Sequence, residues 1–120
     1  MRIQGLHHVQ LAMPPDMEKA ADAFYSGLLG IPRVAKPAHL EARGGCWFES
    51  TDICIHLGVE EGFTPARKAH PALLVSDLDA LKRILEEAGV EVMADEPLPG
   101  HDRFYANDPF GNRIEFLSAL

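Results

Sequence analysis

Two stretches of the chain carry the same order of structural signals, and an internal repeat restricts a fold to paired copies of one small unit. The first opens with Gly5-Leu6-His7-His8-Val9-Gln10-Leu11-Ala12-Met13, apolar at alternate positions and stopped by Pro14-Pro15, which predicts a strand. Asp16 is placed as a helix N-cap. Met17, Ala20, Ala21, Phe24, Leu28 and Leu29 then recur at helical spacing until Gly30. A short strand is expected over 31–35, a loop over 36–45, and two strands over Cys46–Ser50 and Ile53–Val59 around a tight turn at Thr51-Asp52. The second stretch repeats this. His70 to Val75 reads as a strand, and Asp77 caps a helix whose stripe is Leu78, Leu81, Leu85 and Ala88, closed by Gly89. Strands follow over 90–94, 103–106 and 113–117, the last two joined by the turn-forming Asn107-Asp108-Pro109-Phe110-Gly111-Asn112. Both halves read βαβββ. Module one covers about 1–60 and module two about 69–120, within a single domain, with a linker around 60–68.

The repeat changes the meaning of particular residues. His8 and His70 hold equivalent first-strand places 62 residues apart, and His56 and Glu115 hold equivalent last-strand places 59 apart. Strand side chains alternate between faces. Val9, Leu11, Ile55, Leu57, Leu73, Ile114 and Phe116 suit the face that a helix covers. His8, Gln10, Cys54, His56, His70, Arg113 and Glu115 fall on the other face. Imidazoles plus one carboxylate suit Zn, Ni, Co, Fe or Mn. His8, His56, His70 and Glu115 are therefore the candidate ligands of a divalent metal ion, and retention should fall as pH drops below about 6.5, where imidazole protonates. His7 has the wrong parity, while His39 and His101 have no repeat partner.

Bulk properties narrow the partners. A formal net charge of -7 disfavours nucleic acid, which calls for a basic patch. No apolar run approaches the ~18 residues of a membrane span. No leader segment is recognisable, and two cysteines, Cys46 and Cys54, make no disulfide framework, so a cytoplasmic protein with free thiols is expected.

Leu6-His7-His8-Val9-Gln10-Leu11, Ala23-Phe24-Tyr25 with Leu28-Leu29-Gly30, His70-Pro71-Ala72-Leu73-Leu74-Val75 and Asp108-Pro109-Phe110-Gly111-Asn112-Arg113-Ile114-Glu115-Phe116 together resemble the vicinal oxygen chelate superfamily. That superfamily includes glyoxalase I, fosfomycin-resistance transferases, bleomycin-resistance proteins and extradiol dioxygenases. Arg43 to Phe48 and Arg67 to Ala72 look most like small bacterial glyoxalase-family proteins. The resemblance implies an α+β fold of two βαβββ modules whose curled mixed sheets enclose a cleft, a divalent metal there, and a homodimer. Glyoxalase I uses two His and two Glu, and His56 stands where one Glu would be. The fosfomycin enzymes and extradiol dioxygenases use two His and one Glu, which His8, His70 and Glu115 would supply. His56 is then a fourth ligand or an acid–base group.

Glu115 and His56 are the expected proton carriers. Gln10, Trp47, Tyr105 and Arg113 are expected to meet a small-molecule substrate, Arg113 by bidentate contact with a carboxylate or phosphonate. The expected function is metal chelation of a small oxygen-rich substrate with proton transfer, of lyase or isomerase type. Sequestration of a drug without chemistry, or extradiol ring cleavage, are the alternatives.

Overall fold

Each half of the chain builds its own mixed sheet. The computed structural model describes all 120 residues, in two compact units, Met1–Phe63 and Thr64–Leu120. Their boundary falls inside the predicted linker.

In the first unit, β1 (Val9–Met13), β2 (Arg33–Val34), β3 (Cys46–Ser50) and β4 (Ile53–Val59) are ordered β1-β4-β3-β2. β1 runs parallel to β4, and the other pairs are antiparallel. The parallel pairing obliges a crossover. Helix α1 (Glu18–Ala21) and the π-helical turn Asp22–Leu28 that continues it supply that crossover. The turn is wide because Leu29 N–H reaches back to the Phe24 carbonyl at 3.0 Å, one residue beyond the α-helical partner. It buries Tyr25 completely, stacked on Phe48 with ring centroids 5.3 Å apart. Met13, Phe24, Ile31, Cys46, Phe48, Ile55 and Leu57 are buried with it, Ile55 and Leu57 on the face that the alternation assigned to the helix.

The second unit repeats the pattern. β5 (Ala72–Leu74), β6 (His101–Asn107) and β7 (Arg113–Ala119) are ordered β5-β7-β6, with β5 parallel and β6 antiparallel to β7. Helix α2 (Leu78–Glu87) packs on β7 through its apolar stripe, burying Leu81 and Leu85. Asp77 caps it as expected, its side chain accepting from Ala80 N–H at 3.0 Å. The β6–β7 turn is knotted by Asp108, which accepts from the amides of Phe110 and Asn112 at 2.9 Å each. Its carboxylate also accepts from Asn112 Nδ2 at 2.8 Å.

Four local expectations change. Asp16 does not cap α1; it adopts a left-handed conformation at φ 62°, and Met17 occupies the cap without a side-chain bond. The strand over 90–94 shrinks to a single bridge, Met93 to Tyr105. The loop over 36–45 contains a 3-10 helix, Ala38–Arg43. His8 and His70 lie just before β1 and β5 rather than inside them, because the ladders begin at Val9 and Ala72.

Candidate functional site

The register places the candidate residues in matching rows. In the first unit Gln10 pairs with His56, and His56 with Trp47. In the second, Ala72 pairs with Glu115, and Glu115 with Tyr105. The repeat thus extends beyond ligand types. Each central residue, His56 or Glu115, has an aromatic residue beside it on the antiparallel strand.

The second unit builds a charged cluster. His70 Nδ1 lies 2.8 Å from the Lys68 carbonyl, so it is the protonated nitrogen and donates there. Nε2 faces Glu115 Oε1 at 3.0 Å, as a donor when the ring is an imidazolium and as a lone pair when it is neutral. The Tyr105 hydroxyl donates to the same oxygen at 3.1 Å, and Arg103 donates to Oε2 at 3.4 Å. Burial is the largest influence on Glu115 and raises its pKa. The hydrogen bonds with His70, Tyr105 and Arg103 together outweigh it and hold the carboxyl below its ordinary 4.5. Tyr105 is held protonated above its ordinary 10.0, by burial and then by that carboxylate.

This geometry passes a test for metal ligation. Backbone hydrogen bonding that fixes a histidine tautomer and leaves the other nitrogen free is the usual setting of a metal-bound imidazole. A ring nitrogen facing a carboxylate oxygen is satisfied by a proton that it donates, or by a metal cation between or beside the two. Two donors each about 2.1 Å from one ion stand roughly 3 Å apart at a right angle, close to the observed spacing. The His70 and Glu115 donors therefore fit a divalent metal.

The first unit builds a cluster around a buried imidazole. The His56 ring stacks on Trp47 at 3.9 Å, only 3° from parallel, and on His8 at 4.4 Å. Burial lowers the His56 pKa below 6.5, and the nearby His8 and His7 add to this against the opposing pull of Glu49. Its Nε2 lies 3.4 Å from Cys54 Sγ and 3.5 Å from Glu49 Oε1. Cys54 donates to the same Glu49 oxygen at 3.0 Å. Burial, then this bond, pushes the thiol up to about 11. Glu49 in turn is held below 4.5, chiefly by the bond from Cys54.

Of the expected substrate contacts, Gln10 and Trp47 line one cavity of about 260 Å³ with Lys36 and Arg43. Gly58 leaves room there, since a Cβ on it would stand 2.7 Å from Gln10 Nε2. Arg113 lies over the Tyr105 ring, its guanidinium carbon 4.0 Å from the centroid. Sequence reasoning missed Arg103, Glu49, Lys36 and Arg43. Strand alternation carries the signal for the first two. Arg103 lies two residues from Tyr105, and Glu49 two from Trp47, so each shares that residue's face. Lys36 and Arg43 lie between strands, where no period reports facing.

Comparison with known proteins bears on the family and the fold. The family model of the Glyoxalase/Bleomycin resistance protein/Dioxygenase superfamily matches residues 5–116. A solved structure of a glyoxalase family protein from Bacillus anthracis is 47% identical over 100% of this chain and 98% of its own, with a TM-score of 0.94. An integron cassette protein from the mobile metagenome of Halifax Harbour sewage outfall is 25% identical, covering 97% of this chain and 99% of its own, at TM-score 0.72. The fosfomycin resistance protein FosX of Listeria monocytogenes shares the fold at 16% identity and TM-score 0.77, over 99% of this chain and 96% of its own. No curated protein matches the chain. With the doubled strand pattern, the paired central residues and this match along nearly its whole length, the chain belongs to the Glyoxalase/Bleomycin resistance protein/Dioxygenase superfamily.

Proposed function

We propose that this chain is a divalent-metal-dependent, glyoxalase-like enzyme of lyase or isomerase type acting on a small oxygen-rich substrate. The observation that carries the reading is the His70–Glu115 pair, with Nδ1 tied to the Lys68 carbonyl and Nε2 turned to the carboxylate at 3.0 Å. In this reading the ligands are His70, Glu115 and His8, the last from the same chain or a partner copy. A bound Zn, Ni, Co, Fe or Mn ion would polarise two adjacent substrate oxygens and stabilise the charge that develops on them.

The residues of the chain do the rest. Glu115 is ionised at neutral pH and can accept a proton at Oε1, where the Tyr105 hydroxyl already orients it. Arg103 keeps the opposite oxygen charged. Gln10 and Trp47 offer an amide and an aromatic wall to a substrate, and Lys36 and Arg43 in the same cavity favour an anionic one. Arg113 over Tyr105 is the further cation of the reading. His56 is neutral at pH 7, with Nε2 turned to Cys54 and Glu49, and serves as acid–base group or fourth ligand only if it leaves those partners. The reading includes a homodimer, and a cytoplasmic setting in keeping with two free thiols.

Elemental analysis of protein purified without chelator tests it. His70→Ala and Glu115→Gln should each lose about one equivalent of divalent metal relative to wild type. Equal metal content in all three proteins would overturn the assignment. Iron with oxygen-dependent catechol cleavage would move the chemistry to ring opening, and tight drug binding by metal-free protein would move it to sequestration.

A further inference from the structure

We propose that Glu49, Cys54 and His56 form a distinct, thiolate-containing site for a borderline-soft divalent cation of the zinc type. The donors sit on one face of the β3–β4 hairpin. Glu49 and Cys54 are direct cross-strand partners, and His56 follows Cys54 by two residues on the same face. The tight turn at Thr51-Asp52 fixes this register.

Oε1, Sγ and Nε2 converge with spacings of 3.0 Å for oxygen to sulfur, 3.4 Å for sulfur to nitrogen and 3.5 Å for nitrogen to oxygen. Tetrahedral zinc with Zn–S about 2.3 Å and Zn–N or Zn–O about 2.1 Å needs donor spacings of roughly 3.4–3.6 Å. Two of the three edges already have that length. The third opens by about 0.5 Å, through rotation of a Glu49 side chain that is 40% exposed. That exposure also gives the ion a way in. The imidazole is the fixed element, 8% exposed and held by its stacking on Trp47 and His8.

The chemistry of the set is selective. One sulfur, one nitrogen and one carboxylate oxygen suit zinc or cobalt and disfavour magnesium or calcium, which take oxygen alone. Three protein ligands leave a fourth position for water or an exogenous group. Binding replaces the thiol proton by the cation: the S–H bond breaks, the metal–sulfur bond forms, and the proton passes to solvent.

Cobalt(II) titration of the intact protein tests the site, because only a thiolate ligand gives intense sulfur-to-cobalt charge-transfer absorption in the near ultraviolet. The band should appear in wild type, disappear in Cys54→Ser, weaken at least tenfold in affinity in His56→Asn, and persist in Glu115→Gln and His70→Ala. Persistence in the last two separates this site from the His70–Glu115 centre, whichever of the two fails. No band in wild type, or a band retained in Cys54→Ser, overturns the proposal. A measurement without variants stands beside it. Zinc should slow alkylation of Cys54, located by peptide mapping, at least tenfold in wild type, and an unchanged rate overturns the proposal as well.

Discussion

Replacing Glu115 by Gln keeps the shape of the side chain and removes its charge. The carboxylate is nearly buried, with its side chain 7% exposed, so solvent screens its partners little. It takes part in two short hydrogen bonds, with His70 at 3.0 Å and Tyr105 at 3.1 Å, and a longer one with Arg103 at 3.4 Å. A hydrogen bond to a charged group contributes about 1.5–3 kcal/mol, against about 0.5–1.5 for a neutral one. The two short bonds thus lose about 2 kcal/mol between them, and the cheaper burial of an amide returns part of that. Arg103 is not orphaned, since Asp95 lies 3.6 Å from it. The net expectation is a loss of about 1–2 kcal/mol at pH 7, measured by urea denaturation of chelator-treated protein. The loss should depend on pH in one direction. The folded pKa of Glu115 is below the unfolded 4.5, so above pH 4.5 both states are ionised and the full advantage is present. As pH falls from 4.5 through the lower folded value, the unfolded chain takes up its proton first and the advantage disappears. Wild type and variant should converge in that acid window. A variant as stable as wild type at pH 7, or a gap that does not narrow in acid, would refute the reasoning.

Three further outcomes follow from the two units. Trp47→Ala should cost about 2 kcal/mol, reduced from the full burial value because Trp47 is half-buried, and the NMR titration midpoint of His56 should rise as water reaches its ring; an unmoved midpoint would show that burial does not hold it down. Gly45→Ala should be far worse than Gly62→Ala, because a Cβ at 45 meets the Leu57 carbonyl oxygen at 2.1 Å whereas that at 62 meets nothing within 4 Å, and both have positive φ. The expected losses are more than about 3 and about 1 kcal/mol respectively, and thermal melts showing equal losses would contradict the close approach. Asp77→Ala removes the cap bond to Ala80 and should cost about 1 kcal/mol by the same melts, whereas Asp16→Ala, which loses no cap, should not show this cap penalty.

Much of the fold was legible because the alternation is strong where strands are half-covered. Cys46–Ser50 and Ile53–Val59 have the bounds that their periodicity predicted, since Phe48, Ile55 and Leu57 are buried on the helix side while Trp47 and His56 face away. Glycines ended both helices as expected, with Gly30 at φ 73° and Gly89 at φ 80°. The failures have local causes. Asp16 follows a proline pair and takes up the chain reversal itself, which a cap preference does not foresee. The segment 90–94 has the composition of a strand, but only Met93 meets a partner. The π-helical turn at Asp22–Leu28 leaves no mark on an apolar pattern, because Phe24 and Tyr25 are buried whether the carbonyl is four or five residues back.

What sequence periodicity could not carry is charge state, and there the two halves part. His56 and Glu115 occupy the same place in the repeat, each centred in its sheet and each beside an aromatic residue. Around Glu115 lie the Arg103 guanidinium, the Tyr105 hydroxyl and a histidine, which stabilise a negative charge. His56 is buried between the Trp47 and His8 rings, and that burial, with the imidazoles of His8 and His7, disfavours a positive charge against the opposing pull of Glu49. The repeat therefore fixes position and facing, and the neighbours fix protonation. An ionised carboxylate and a neutral imidazole at equivalent places are both ready to bind a cation without first shedding a proton. On the two proposals made above, the nitrogen and oxygen donors beside Glu115 and the thiol beside His56 would suit different ions.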